Sequence, residues 1–459
     1  MMKEWKSIMT AMAVILVMTW TPVSFGAVSP EEAAKLGTTL TGIGAEMAGN
    51  KDGTIPPYTG GLTTAPAGFN PGSGVRPDPF AAEKPLFSIN AQNMNQYAEK
   101  LPDGTKLMMK KFPTYRIDIY KTHRTIAIPE FVIKHTAKNA VNAQTYNGGL
   151  SVKNAHAGIP FPIPKDGCEV MWNHILRYQG RSYESKSYSL IVDAGGKFVL
   201  TGGLYFWQEF PYYDTSLGAD DPLFWKIRWL FFAPSRRTGE SAQAHDYINY
   251  YERPRVAHQY LAGQRRVKLA PEIAFDALTT DTSGNATWDE TWVFNGSMER
   301  YDWKIIGKKE MYVPYNNYKL TYFSKQDDLF KPIHMNPDEI RWELHRVWVV
   351  EAKLKPGKRH IYETRRFYLD EDSWTIVAAE AYDANGKLFK VNHLYLTQNY
   401  DEGYPCTYPY SHYNFANGVY VFQFWLGNAA GLGSGYIRQA KPHTSAWWTP
   451  DTMATLGMR

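Results

Sequence analysis

The sequence predicts a mainly β protein: a strongly curved antiparallel sheet with N-terminal helices and a long irregular arm. Three observations carry this. Between Arg341 and Thr397 the chain reads as consecutive hairpins with turn chemistry at each joint. The aromatic load is high, with 22 Phe, 15 Trp and 31 Tyr, and much of it falls on strand faces that also carry Arg, Glu and His. Such faces suit a wide sheet that cups something apolar, or aromatics that simply fill a large core, rather than a simple aliphatic sandwich. Finally, residues 49–80 hold 7 Gly and 6 Pro and read as an arm long enough to wrap a core.

The first segment sets the compartment. Lys3 and Lys6 precede the apolar run from Ile8 to Trp20, and Ser24-Phe25-Gly26 offers a small-x-small cleavage site. The run is far shorter than the roughly 20 residues that span a bilayer. A signal peptide over residues 1–26 is therefore expected, cleaved near Gly26, with a periplasmic product. No cysteine lies near the site, so lipidation is not expected.

Ser29-Pro-Glu-Glu32 forms a capping box that opens a helix, with Leu36, Leu40, Ile43 and Met47 on one stripe. After the arm, a second helix is expected from Ser88 to Lys100, stopping at Leu101-Pro-Asp-Gly104. Residues 27–105 thus form an N-terminal unit of helices and arm. Residues 106–245 read as the N-terminal part of the β domain with insertions, 246–399 as the antiparallel meander, and 400–459 as a Tyr-rich tail. Within the meander, Arg341–Lys353, Arg359–Leu369, Trp374–Asp383 and Lys387–Leu396 read as strands. Arg300–Val313 and Tyr318–Phe323 read as further strands of the same sheet. No βαβ alternation appears, which argues against a doubly wound nucleotide fold.

The net charge of +5 is mild, and its basic pairs are scattered, so a nucleic-acid partner is not expected. Gly431-Leu-Gly-Ser-Gly435 is not a nucleophile elbow, because Leu432 stands where the elbow needs glycine. Gly42-Ile-Gly44 is followed by Met47 where a dinucleotide loop needs its third glycine. The 12 histidines are scattered without ligand spacing, so no metal and no cofactor are expected. Trp288-Asp-Glu-Thr-Trp292 permits a glycan-active reading but does not place its carboxylates. Cys168 and Cys406 lie among turn formers, and a disulfide between them and two free thiols both stay open.

Several stretches resemble a family of Gram-negative exported proteins filed as a domain of unknown function and likened to outer-membrane lipoprotein-sorting proteins. They are Asn50–Gly61, Gly158–Pro164, Trp172–Arg177, Tyr260–Val267, Phe294–Trp303, Lys308–Asn316 and Arg365–Trp374. The hairpin Tyr368–Trp374 followed by Tyr382–Gly386 is also similar to the strand–turn–strand unit of the periplasmic LolA/LolB-type carriers. That resemblance implies a half-barrel over roughly Asp246 to Asn399, with helices at its mouth and an acyl chain inside. It also implies neighbours, an RND-type inner-membrane transporter and an outer-membrane protein. The function expected is a non-enzymatic carrier or chaperone for an apolar or lipid-like ligand, such as a lipoprotein. An exported enzyme acting on a glycan or lipid, or a structural subunit of an envelope transporter, are the alternatives.

The ligand face is expected where alternate residues of one strand share a side. Trp342, Leu344, Trp348 and Val350 form that set, with Tyr260, Trp292, Trp303 and Tyr312 on neighbouring strands. A tight turn at Lys355–Lys358 would put Val350 opposite Glu363 and Trp348 opposite Arg365. N-terminal sequencing of the protein from a fractionated envelope is expected to begin at or near Ala27; recovery of the intact Met1 form would contradict the leader.

Overall fold

The computed structural model describes residues 27–218 and 221–457; the leader lies outside the described residues. Its centre is one large, mainly antiparallel sheet of sixteen strands among the described residues. In chain order these are β1 (Phe87–Ile89), β2 (Ile117–Ile119), β3 (Ser182–Val192), β4 (Phe198–Glu209), β5 (Leu223–Ala233), β6 (Ser241–Tyr247), β7 (Val256–Leu261) and β8 (Arg266–Leu269). There follow β9 (Tyr301–Pro314), β10 (Trp342–Leu354), β11 (Thr364–Asp370), β12 (Ile376–Tyr382), β13 (Leu388–Leu394), β14 (Tyr410–Asn414), β15 (Val419–Trp425) and β16 (Tyr436–Gln439).

Two meanders make up this sheet. β3 to β8 pair in sequence order, as do β9 to β15, and β15 returns to pair with β3. Only β2 runs parallel to its neighbour, through Trp342 and Ile119. The first meander owes its register to alternation. On β5, Trp225, Ile227, Trp229 and Phe231 point one way, while Lys226 and Arg228 point the other. The C-terminal turn Ser445–Trp448 and helix Asp451–Gly457 cover that second face across β6, β7 and β8. There Arg228 is fully buried without a carboxylate partner among the described residues, 4.0 Å from the Trp447 ring and hydrogen-bonded to Gln243. Burial brings its guanidinium down to about 10.

The arm does wrap the core. The Tyr58 hydroxyl donates to the Ile126 carbonyl at 2.9 Å, and the Leu62 N–H donates to Thr125 at 2.8 Å. Gly61 has φ +78°, and a Cβ there would lie 2.3 Å from the Ile126 carbonyl oxygen, so only glycine fits this approach. Further on, buried Arg76 reaches Asp401 at 2.6 Å and Glu402 at 2.9 Å, pinning the arm to the C-terminal ribbon.

Several local expectations are corrected. Only Pro30–Ala33 of the first helix forms, because the glycines at 37, 42 and 44 break the stripe that follows. Ser88–Lys100 divides into β1 and a 3-10 turn, Met94–Lys100. Leu101-Pro-Asp-Gly104 starts a helix, Asp103–Lys111, instead of ending one; Pro102 sits at its cap and Asp103 in its first turn. Tyr318–Phe323 is a wide, π-helical turn, Lys319–Phe323, with the Tyr318 hydroxyl donating to the Gln398 carbonyl. The hairpin register also differs: Val350 pairs with Phe367 and Trp348 with Leu369. Residues 359–362 leave the ladder because His360 faces Asp289, 3.7 Å away, and the Tyr362 hydroxyl donates to Glu290 at 2.7 Å.

Cys168, in helix Gly167–Ile175, and Cys406, in the ribbon strand Tyr404–Cys406, are separate free thiols, so the bridge left open by the sequence is not made. Burial pushes the Cys168 thiol up to about 12 and also raises Cys406. Thiol titration should therefore count two groups in denaturant, and slow, incomplete reaction at pH 8 in the native protein. A count of zero in denaturant without reductant would contradict this.

Candidate functional site

The inward face of the first meander is only partly filled. Trp225, Ile227, Trp229 and Phe231 on β5, with Leu204 and Phe206 on β4, form one wall of a cavity of about 350 Å³. Ala242 and Ala244 on β6 are small, and this leaves the space; their register partners Gln259 and Ala257 share the face. Residues 270–293 lie across the opening and supply Ile273, Ala277, Leu278, Trp288 and Trp292. Four indoles line the space, with Trp225 4.7 Å from Trp292 and Trp229 5.6 Å from Trp288 between ring centroids. Polar side chains also border it, among them Ser241, Arg255, Glu272, Asp281 and Thr291. At the inner end the Trp225 indole N–H donates to Gln208, which in turn donates to the Tyr408 hydroxyl. At the outer end stand Arg237, Glu240, Gln259 and Thr280.

The covering segment is held from below by a buried charge network. Thr287 caps the turn Trp288–Val293, and Glu290 completes the capping box. The Glu290 carboxylate then accepts hydrogen bonds from Lys390 Nζ at 2.6 Å, the Tyr362 hydroxyl at 2.7 Å and Asn392 at 3.2 Å. Its neighbour Asp289 meets Arg365 Nη1 at 2.5 Å. Burial opposes ionisation of Glu290, but Lys390, His412 and Arg365 outweigh it and hold the carboxyl well below the usual range. Burial pulls Lys390 below the ordinary lysine value against the attraction of Glu290, and lowers His412 to about 4.

This anchoring carries backbone strain into the cavity wall. Trp292 and Val293 both have positive φ, 53° and 72°, which bulky and β-branched residues rarely adopt. Behind Trp292, the Arg177 guanidinium lies 5.0 Å from its ring, buried without a carboxylate and brought down to about 9 by that burial.

Of the residues singled out from sequence, Trp292 lines the cavity. Trp348 lies elsewhere, half-buried, stacked on Trp374 at 6.1 Å with Lys308 Nζ 5.0 Å above it. Trp342 and Leu344 are buried with Ile117, Met108 and Tyr395, while Val350 joins the larger cluster with Phe367. Trp303 stacks on Phe367 at 5.8 Å, and Tyr312 meets Phe87 and Tyr97 edge-on. Tyr260 is buried opposite Ser241, on the other face of β7 from Gln259. Sequence reasoning missed Trp225, Trp229, Phe231 and Trp288. The signal was present in the alternation from Trp225 to Trp229, where Lys226 and Arg228 separate the cavity residues. Both carboxylates of Trp288–Trp292, which had permitted a glycan-active reading, are committed to buried ion pairs. A cluster of His345, Asp370 and Asp372 could hold a metal, but Arg124 occupies both oxygens of Asp372, at 2.6 and 2.9 Å.

The fold and this partly covered, aromatic-lined cavity define a mainly β protein with one large sheet. A family model described as "Protein of unknown function (DUF1329)" matches residues 88–454, and the chain belongs to that family. This is the family to which the motif segments pointed. The uncharacterized protein PA3922 of Pseudomonas aeruginosa is 42% identical over 403 residues, covering 86% of this chain and 87% of the relative. Among solved structures, a putative outer membrane lipoprotein-sorting protein domain from Vibrio parahaemolyticus aligns at 13% identity and TM-score 0.42, over 63% of this chain and 98% of that one. A LolA superfamily protein of Nitrosomonas europaea, NE2245, aligns at 8% identity and TM-score 0.36, over 63% and 100%.

Replacing Glu290 by Gln should destabilise the protein by about 3–5 kcal/mol at pH 7, because Lys390 is left buried and unpaired. The folded-state pKa of Glu290 lies below its unfolded value near 4.3, so its contribution is complete above that pH and lost as pH falls. Urea unfolding of wild type and Glu290→Gln at pH 7 and near pH 3 should thus show the difference shrinking in acid. A gap that is constant with pH would contradict the ionised assignment.

Proposed function

We propose that this protein is an exported carrier or chaperone that takes an apolar, lipid-like ligand into the cavity under residues 270–293. The cavity itself carries the reading: about 350 Å³, with indoles and phenyl rings along the β4 and β5 wall and under residues 270–293. Hiding roughly 300 Å² of ligand apolar surface there is worth ~7 kcal/mol at about 25 cal/mol/Å², before ordering costs. In this reading β4 to β7 wrap around the tail, whereas the sequence suggests the curved meander for residues 246–399. Trp288 and Trp292 close over it. The periplasmic location, and the RND-type transporter and outer-membrane protein as donor and acceptor, are parts of the same proposal. Among the described residues no helix is long and apolar enough to cross a membrane.

The direct test is lipid extraction and mass spectrometry of the full-length protein purified from its envelope fraction, where acyl-containing material is expected. Protein that is repeatedly free of it, and that also fails to take up a fluorescent acyl probe, would overturn the reading. A cavity-filling variant sharpens the test. Ala244→Phe should change stability by no more than about 1–3 kcal/mol, because its ring enters existing space. It should weaken probe binding about tenfold or more, since the ring occupies the volume the tail needs.

A further inference from the structure

Resting on the carrier reading, we infer that the ligand is an anionic amphiphile, with its tail along β5 and its phosphate or carboxylate head group at an arginine-lined vestibule. The cavity has a direction. Trp225, Ile227, Trp229 and Phe231 span six residues of one strand, about 20 Å at ~3.3 Å per residue, which is a length suited to an extended acyl chain. The Trp225 end is closed by Gln208, Tyr408 and Trp292. The Phe231 end continues into a vestibule of about 410 Å³ lined by Arg236, Arg237, Glu240, Gln259 and Thr280, four of which also line the cavity.

The charge at this end is asymmetric. Arg237 lies 3.6 Å over the Phe231 ring and is held by Glu240 at 2.9 Å and Thr280 at 3.2 Å. Its guanidinium is thus fixed at the rim, where an oxyanion would approach. Exposed Arg236 has no carboxylate partner among the described residues. The next hairpin adds to the excess. Ser241 pairs with Tyr260, and Leu261 with Arg266, so the turn carrying Arg265 and Arg266 lies at the same end of the sheet. Those two side chains are exposed and also lack carboxylate partners among the described residues. Two nearby acids are already ion-paired, Glu240 with Arg237 and Glu272 with Lys268 at 2.5 Å, while the buried Asp281 accepts from the neutral Gln423 amide at 2.9 Å. Exposed Leu278 borders the same cavity and gives an apolar lip for a chain to pass. An apolar slot ending in uncompensated guanidinium groups matches a single-chain anion better than a neutral lipid.

Displacement of a neutral naphthylamine dye from the full-length protein tests this with three probes sharing one chain: hexadecyl phosphate, palmitate and hexadecanol. The anionic probes should bind about tenfold tighter than hexadecanol at low salt, the size of one charge-assisted hydrogen bond of ~1.5 kcal/mol. The preference should shrink at about 0.5 M salt, which screens an exposed charge. It should also shrink in Arg236→Glu, and further in Arg236→Glu/Arg266→Glu, with hexadecanol affinity and melting temperature unchanged. Whichever anion shows the larger loss in these variants identifies the head group as phosphate or carboxylate. Equal binding of all three probes, or an anion preference untouched by the variants, would overturn the head-group site while leaving the carrier reading intact. Displacement by none of the probes would overturn both.

Discussion

A buried carboxylate in a protein interior needs a cation and polar neighbours, and the rest of this structure is arranged around the place where Glu290 finds them. Lys390 comes from β13, His412 from β14, Tyr362 from the segment before β11, and all three belong to the second meander. Glu290 itself sits on the segment that covers the first meander. The Glu290–Lys390 and Asp289–Arg365 pairs therefore fasten the covering segment to the second meander and set where Trp288 and Trp292 are held. Removing both charges for well-packed apolar groups can be neutral for stability, whereas removing one is costly. The pair thus acts chiefly by making the covering segment adopt a single position, and the positive φ at Trp292 and Val293 is sustained by that anchoring.

The sheet has its own closing constraint. Because β15 pairs with β3, the last strand of the second meander completes the ladder of the first strand of the first. Each meander would otherwise present an unpaired edge at that seam. Elsewhere the edges are shielded by other means. The parallel contact of β2 covers one end of β10, and the charged residues Arg266 and Lys268 lie on short β8, the terminal strand in the sheet order. Those charges serve a strand that must not pair onward, and in the proposed function they also border the entrance to the cavity.

How much was legible in the sequence varied with the range of the interactions involved. β9 to β13 lie within a few residues of their sequence assignments, because alternation and turn residues are local signals, whereas β14 and β15 fall in what the sequence read only as a Tyr-rich tail. The first meander carries the same signal on β5, yet its long polar insertions hid the repeat. The hairpin after Leu354 departs from a tight turn because His360 and Tyr362 answer to Asp289 and Glu290, some seventy residues away. Asp103–Lys111 was missed since Pro-Asp-Gly serves equally as a turn and as a helix start, and only the packing of Met108 and Met109 against the sheet selects the latter.

By itself, the sequence determined a mainly β chain with hairpin chemistry in its second half, an arm of glycine and proline, and membership in a family recognisable from dispersed motifs. Those properties depend on neighbouring residues, and periodicity exposes them directly. Which aromatic residues are core and which border a cavity was decided only by the tertiary structure. Trp348 and Trp229 read alike as strand tryptophans, but the first is packed beneath Lys308 and against Trp374, and the second faces the space left by Ala242 and Ala244. That distinction is set by the size of residues on another strand and by a segment fastened through Lys390, a hundred positions further on, and no local pattern encodes either.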